Sequence, residues 1–584
     1  MTALALPGWS VAPRLGVVVP PEGSPGWTDT AWWAVLLEAW GYPAERLGRP
    51  DEADAATHVD PAAGAARGAF TTLVVPAPAV DEAGAAALAR ARDAGTSILL
   101  AGLPSPAAAG LLDFTPGPLV VGGRLRIDDE DLWIAAGACV PAPADDGCVV
   151  LDPPGPVGSL GTGWTVLARW IGEAPAIAFH SVTGAARPAT VAWFGIPAAA
   201  LDRRATETVA LLAEATLDRA APAGLVGLGR WPDARPATLV VDGDVDHPTG
   251  VDPECARYVA PALETAARAG YPAYGIFVAG ANVDAEPASF PPAPGYYNHS
   301  YGHPFSHWDA RRWESLTADE MADEVRRCAA AFERHLGRGD ERVFRLPHFQ
   351  LAAAERTYGV LDALGYRAES SVGANVALTG GLPYHPARRA WSAREADASW
   401  ARSHPDPAAR FALLQLPLSS DPYAPDFTNG FCSYNTLDEG VRRRTAAPEA
   451  YEILLDEAVE RAVARRGLAH VFIDPPDAGY GRLPGDVVDY ADTVERWLRR
   501  CMARDDLAVL TTAGLAAWWS AREAALGRLT SRIGSDGLVV ELAEPPPGTT
   551  LAVLEPAAGD EPRRRRARSL VEGPAVRAPG GDAR

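Results

Sequence analysis

Short apolar runs separated by helical patterns organise the first third of the chain. Residues 15–19, 71–75 and 97–100 are continuous apolar or β-branched stretches of strand length. Such runs predict strands buried on both faces. Between them, 28–40 and 81–92 repeat apolar positions at helical spacing; the first closes at Gly41-Tyr42-Pro43 and the second opens at Asp81. Residues 190–195 read as another strand and 202–219 as a closing helix. This alternation predicts a doubly wound, flavodoxin-like α/β domain over 1–225, with a parallel sheet covered on both faces.

A stretch rich in Gly, Pro and Arg at 224–236 reads as a linker. A second α/β pattern follows over 235–525, from an apolar strand at 237–241 to a helix at 513–524. Two further strand-like runs, 538–542 and 550–554, predict a small β appendage spanning 526–561. From 562 to 584 Arg, Pro and Gly dominate, and a disordered tail is expected.

A chain of 584 residues is too long for one core, which fits this division. The net charge of −21 argues against a nucleic-acid partner and against an anionic membrane surface. The chain has no lysine, so Schiff-base chemistry and lysine-dependent phosphate loops are excluded. Its six cysteines are scattered without a Cys-x-x-Cys pair, which predicts reduced thiols and neither a disulfide framework nor a cysteine zinc site. The start lacks a basic segment followed by an apolar one, and no apolar run reaches membrane-spanning length. A cytoplasmic location is therefore expected.

Two segments carry candidate chemistry. Asp242-Gly243-Asp244-Val245-Asp246 follows the strand Thr238-Leu239-Val240-Val241, at the end where barrel enzymes place catalytic groups. Acids beside an apolar strand are costly unless paired, and a metal is one partner; a solvated, helix-capping turn is the other account. Further on, Asn298-His299-Ser300-Tyr301-Gly302-His303-Pro304 holds two histidines four apart. On a helical turn such a pair faces one way and can chelate an ion, with Asn298 and Ser300 fixing the ring tautomers. Then come Val343-Phe344-Arg345-Leu346-Pro347-His348, Leu364-Gly365-Tyr366 with Ser370-Ser371-Val372, and Leu468-Ala469-His470-Val471-Phe472-Ile473-Asp474.

In this order the motifs over 235–525 resemble those of the polysaccharide deacetylases, the NodB-like family 4 carbohydrate esterases. The resemblance implies a distorted (β/α) barrel and a metal-dependent hydrolase that removes an N-acetyl group from an amino sugar or sugar conjugate. It implies His299 and His303 as metal ligands, Asp242 as base and Asp244 as third ligand. The register with Asp244 as base and Asp246 as ligand stays open. Arg345 would pair with the base. The family's tyrosine is His348 here, where a backbone donor survives, and Asp474 stands where the general-acid histidine is expected. Asp474 is then the acid, unless His470, His348 or His385 substitutes; His307 reads as a surface residue. Zinc suits this ligand set, with cobalt, nickel or manganese as substitutes. The partner would be a small-molecule or oligosaccharide substrate, on which Tyr296, Tyr297, Trp308 and Trp313 can stack if they are not core residues. A NodB-like hydrolase of a cyclic imide or ureide, and a non-catalytic metal-bearing carbohydrate-binding protein, are the alternatives. More weakly, 1–225 resembles a class I glutamine-amidotransferase-like domain. That family's nucleophilic cysteine is missing from the turn Ala101-Gly102-Leu103-Pro104-Ser105-Pro106, which implies a structural or substrate-positioning role.

Overall fold

The computed structural model describes all residues except 1, 7, 49–69, 121–123, 128–148, 151–154, 171–173, 198–205, 246–254, 294, 305–311, 348–352, 375–376, 390–401, 420–446, 479–488, 536, 557–564 and 570–584. Asp246, His307, Trp308 and His348 lie outside the described residues. The fold is mixed α/β.

The N-terminal region builds a nine-stranded sheet. Its parallel half runs in the order Ala44–Leu47, Leu15–Val18, Thr72–Pro76, Ser97–Ala101, Ala189–Phe194. Beyond Ala189–Phe194 it continues antiparallel through Pro175–Val182, Thr165–Trp170, Arg124–Ile127 and Val149–Val150. The expected fully parallel sheet is therefore only half the sheet. The connections 171–174 and 183–188 are too short to carry a crossover helix, so these strands must fold back as hairpins.

The helix Trp27–Trp40 is buried over most of its surface, because it lies between this sheet and the second region. Gly41 ends it at φ 87°, and a Cβ there would sit 2.2 Å from the Leu228 carbonyl oxygen, so only glycine fits. Asp81 caps the helix Glu82–Asp93 by accepting from the Gly84 N–H.

The second region is an eight-stranded parallel sheet. Its order is Leu414–Gln415, Ala368–Glu369, Val343–Phe344, Tyr296–Asn298, Gly275–Val278, Ala237–Val245, Leu468–Phe472. The eighth strand, Leu507–Val509, pairs with the start of Ala237–Val245, whose other end pairs with Gly275–Val278. The Ser419 N–H reaches the His470 carbonyl at 2.8 Å, so the segment after Leu414–Gln415 meets Leu468–Phe472 and the two ends of the sheet approach each other. The result is a distorted half-barrel. Among the described residues, Asp244, His299, Arg345 and Asp474 sit at or just beyond the carboxyl ends of its strands, where the backbone leaves the ladder and side chains can converge.

The two regions share one apolar core, which joins Trp32, Trp33, Leu36 and Phe194 to Val240, Phe277, Leu414 and Trp519. Polar contacts pin the same contact surface. The Trp32 indole donates to the Leu378 carbonyl, Arg522 to the Ala39 and Gly229 carbonyls, and Arg410 grips Glu38 through two hydrogen bonds.

The predicted linker contains a strand, Leu225–Leu228, paired with Thr550–Leu554. Gly537–Leu542 lies between Leu529–Gly534 and the N-terminal strand Thr2–Leu6. The two predicted appendage strands thus join separate small sheets, each completed by a strand remote in sequence. The expected disordered tail holds a strand, Arg565–Ser569, on the other edge of Thr550–Leu554. Among the described residues no helix is long and apolar enough to cross a membrane.

Candidate active site

Asp242 and Asp244 occupy alternate positions of Ala237–Val245 and therefore share a face. Between them Gly243 passes close to the next strand; a Cβ there would lie 2.0 Å from the Ile473 carbonyl oxygen. Arg345 follows Val343–Phe344 and reaches both aspartates, with Nη2 on Asp242 Oδ1 at 2.8 Å and Nη1 on Asp244 Oδ1 at 2.7 Å. Its Nε donates to the Ser370 carbonyl at 2.7 Å and its Nη2 to Ser370 Oγ at 3.1 Å. The guanidinium lies 3.9 Å from the Phe277 ring centroid, a cation–π contact in a fully buried setting.

The two acids differ in what else they touch. Asp242 is wholly buried, and its Oδ2 takes His470 Nε2 at 2.7 Å and the Thr512 hydroxyl at 2.9 Å. Burial pushes its carboxyl up, but the charges of Arg345 and His470 outweigh burial and hold it down at about 2. Asp244 sits nearer the strand end, and its Oδ2 faces His299 Nε2 at 3.5 Å. That separation is too long for a hydrogen bond and leaves the two groups side by side.

The histidine segment is not helical, contrary to the expectation from its four-residue spacing. Tyr296–Asn298 is a strand, and the loop after it turns through left-handed residues, Ser300 at φ 65° and His303 at φ 45°. Such φ values are strained for non-glycine residues and persist where the surroundings enforce them. Asn298 enforces them here. Its Nδ2 lies 2.9 Å from both the Val325 carbonyl and Asp340 Oδ2, and its Oδ1 accepts from the Ser300 N–H. Ser300 Oγ in turn accepts from the His303 N–H at 3.1 Å, and Glu324 accepts from the Gly302 N–H. The loop thereby brings the two imidazoles together, with ring centroids 4.7 Å apart and planes tilted by 45°. The His299 tautomer is set by Arg345, not by Asn298 or Ser300: His299 Nδ1 lies 3.0 Å from the Arg345 carbonyl, which leaves Nε2 as the lone-pair nitrogen facing Asp244.

Asp474 is half-buried after Leu468–Phe472 and accepts the Asp244 N–H at 2.6 Å, so it stands directly beside that acid. His470 is buried against Asp242 and cannot reach a leaving group. His385 is held elsewhere, between the Leu413 carbonyl and Glu523. Tyr296, Tyr297 and Trp313 are core residues and not stacking platforms.

Two imidazoles, one with a fixed tautomer, next to a carboxylate form a donor set suited to a divalent ion of zinc type. Among the described residues no three His, Cys, Asp or Glu side chains are gathered for an ion. Asp246, the remaining carboxylate of the acidic motif, lies outside the described residues. Thr512 and Ser370, which hold Asp242 and Arg345, carry no isolated signal in the sequence. Ser370 directly follows the strand Ala368–Glu369, and Thr512 opens the helix Thr512–Leu526.

No protein-family model matches the chain, and no curated protein matches it. Among solved structures, the carbohydrate deacetylase Agd3 aligns with 95% of both chains at 11% identity, TM-score 0.43. A polysaccharide deacetylase from Mycobacterium smegmatis covers 50% of this chain and 93% of its own, at 16% identity and TM-score 0.34. PdaA of Bacillus subtilis, a family 4 carbohydrate esterase, covers 50% and 84% at 12% identity, TM-score 0.27. Likeness this low leaves the function to the geometry of the residues themselves.

Proposed function

We propose that the chain is a metal-dependent hydrolase that removes the acetyl group from an N-acetylated amino sugar or sugar conjugate. One observation supports this above others. Asp244, paired with Arg345, faces the Nε2 of His299 at the open end of a parallel barrel sheet, with the His303 ring alongside.

Burial separates the roles of the acids. Asp242 takes three donors and has no exposed surface, so it fits the task of holding Arg345 and His470 in place. The base role falls to Asp244. His299, His303 and Asp246 would hold the ion. The ion supplies Lewis-acid polarisation of the acetyl carbonyl and acidifies water beside it.

The chain's own residues do the rest. Arg345 keeps Asp244 ionised and aimed. Asp244 takes a proton from the attacking water, and the carbonyl becomes a tetrahedral oxyanion. By the resemblance, the backbone N–H of His348, which lies outside the described residues, would be the donor to that oxyanion. Asp474, hydrogen-bonded to the backbone of Asp244, then protonates the departing amine and acetate leaves.

Acetate release from N-acetylglucosamine oligomers, assayed with zinc present, tests this reading. Asp244→Asn should lower release by about 10²- to 10⁴-fold, the usual worth of a general base. Undiminished release by that variant, or no release by the wild type from any acetylated sugar, rejects it.

A further inference from the structure

We propose that Glu369 is a positioning residue for the Arg345-Leu346 turn, acting through Ser371. The inference deepens the hydrolase reading and rests on it for its kinetic consequence.

Glu369 ends the strand Ala368–Glu369 and shares register with Phe344 on one side and Gln415 on the other. It is fully buried, as are Ser370 and Ser371. These three consecutive residues form the seat of the turn that carries Arg345. Ser370 accepts from Arg345 twice, through its carbonyl and its hydroxyl. Ser371 Oγ accepts the Leu346 N–H at 2.9 Å. Glu369 closes on Ser371 from behind, with Oε1 against Ser371 Oγ and Oε2 accepting the Ser371 N–H at 3.2 Å. Removing the carboxyl would free the Ser371 hydroxyl to rotate and release the Leu346 amide. That amide lies next to Arg345, on the turn that leads to Pro347 and the proposed oxyanion donor.

The protonation state follows from the surroundings. Among the described residues no arginine or histidine donates to the Glu369 carboxyl. Its neighbours are the Gln415 side chain, which hydrogen-bonds it, the Tyr358 hydroxyl, which donates to Gln415, and Tyr384, all buried. Arg345 is the charged group near it and spends its donors on Asp242, Asp244 and Ser370. A buried carboxyl without a cation on it favours the protonated form. Burial pushes the Glu369 carboxyl up to about 7, against the pull of Ser371, Arg345 and Gln415. Its folded value is thus raised, so its contribution to stability is complete below the ordinary glutamate range and is lost as pH rises through about 7.

The test compares wild type, Glu369→Gln and Glu369→Ala, with urea unfolding from pH 5 to 9 and acetate release over the same range. Gln mimics the neutral acid. It should keep kcat within about threefold of wild type and remove the wild-type loss of stability that develops as pH rises from the ordinary glutamate range to about 7. Ala should lower kcat about tenfold or more with KM changed less than about twofold, since aim and not substrate binding is lost. Identical pH dependence of unfolding in wild type and Glu369→Gln overturns the neutral-acid role. Unchanged kcat in Glu369→Ala, or a Gln variant as impaired as an unfolded Ala variant, overturns the positioning role. If the wild type releases no acetate, the hydrolase reading fails, while the unfolding comparison still decides the state of Glu369.

Discussion

Arg345 lies between two aspartates and an aromatic ring with no exposed surface. Replacing it by Ala leaves two buried carboxylates without their cation, a loss of about 3–5 kcal/mol. Urea denaturation of Arg345→Ala should show a loss of that size, and metal content should fall with it. A loss below about 1 kcal/mol would mean the aspartates are better solvated than their burial indicates. Asp242 gives a pH signature of its own. Its folded pKa of about 2 lies below the ordinary aspartate value of 3.8. The difference stabilises the folded state above pH 3.8, by on the order of 2 kcal/mol, and is lost as pH falls through about 2. Asp242→Asn should therefore show a flatter acid limb than wild type when unfolding is followed from pH 5 to 2. At this scale much of the site was legible. Acids at a strand end, two close histidines and an arginine at another strand end are visible as residue types. The different surroundings of Asp242 and Asp244 were not, because they depend on His470, which reaches Asp242 from another strand, and on Thr512, which reaches it from the start of the helix Thr512–Leu526. The strained turn at Ser300 and His303 was not legible either, since its cause is Asn298 bound to Asp340 from a distant segment.

Elements with local start and stop signals were read closely: Trp27–Trp40 ends at Gly41, and Glu82–Asp93 opens at Asp81. Thr317 and Glu320 form a capping box at the start of Ala318–Leu336, and Gly337 closes it at φ 64°. Thr317→Ala should cost about 1 kcal/mol, measurable by thermal or urea unfolding. Elements completed by remote strands were not read: Leu225–Leu228 sits in a Gly/Pro-rich stretch, and its partner Thr550–Leu554 lies more than 300 residues away. The helices Pro448–Ala464 and Ala491–Met502 show another interaction between elements. Arg496 and Arg500 pair with Glu452, Arg500 with Asp456, and Arg504 with Glu460. These pairs are solvent-exposed, so each contributes less than about 1 kcal/mol and is screened by salt. Arg500→Gln, which breaks two of them, should destabilise by less than about 1 kcal/mol at low salt and by nothing measurable in 1 M NaCl. An equal loss at both salt concentrations would point to packing of the Arg500 stem and not to charge.

For the whole molecule, the shared core outweighs the apparent division into regions. Trp32, Trp33 and Leu36 of the N-terminal half pack into the same cluster as Val240, Phe277 and Trp519 of the barrel sheet. Burying a large apolar side chain is worth about 2–3 kcal/mol, so exposing several at once exceeds the stability of a typical domain. A fragment of residues 235–525 should therefore fail to unfold cooperatively and should bind a hydrophobic dye, as judged by thermal melts and fluorescence. A cooperative melt close to that of the full chain would show that the N-terminal half is dispensable for folding. The sequence pattern marked where each half begins but carried no trace of this contact, because an apolar helix face looks the same whether a sheet of its own region or another one covers it.

The central claim is that Asp244, His299 and His303 form one metal-dependent site in which Asp244 acts on water and the histidines hold the ion. Divalent-metal stoichiometry, measured on purified wild type, Asp244→Asn and His299→Ala after equilibration with zinc, tests it most directly. The account predicts about one ion per chain in wild type and Asp244→Asn, and a loss of at least about tenfold in affinity in His299→Ala. Undiminished binding in His299→Ala, or loss of the ion in Asp244→Asn while His299→Ala keeps it, contradicts the account.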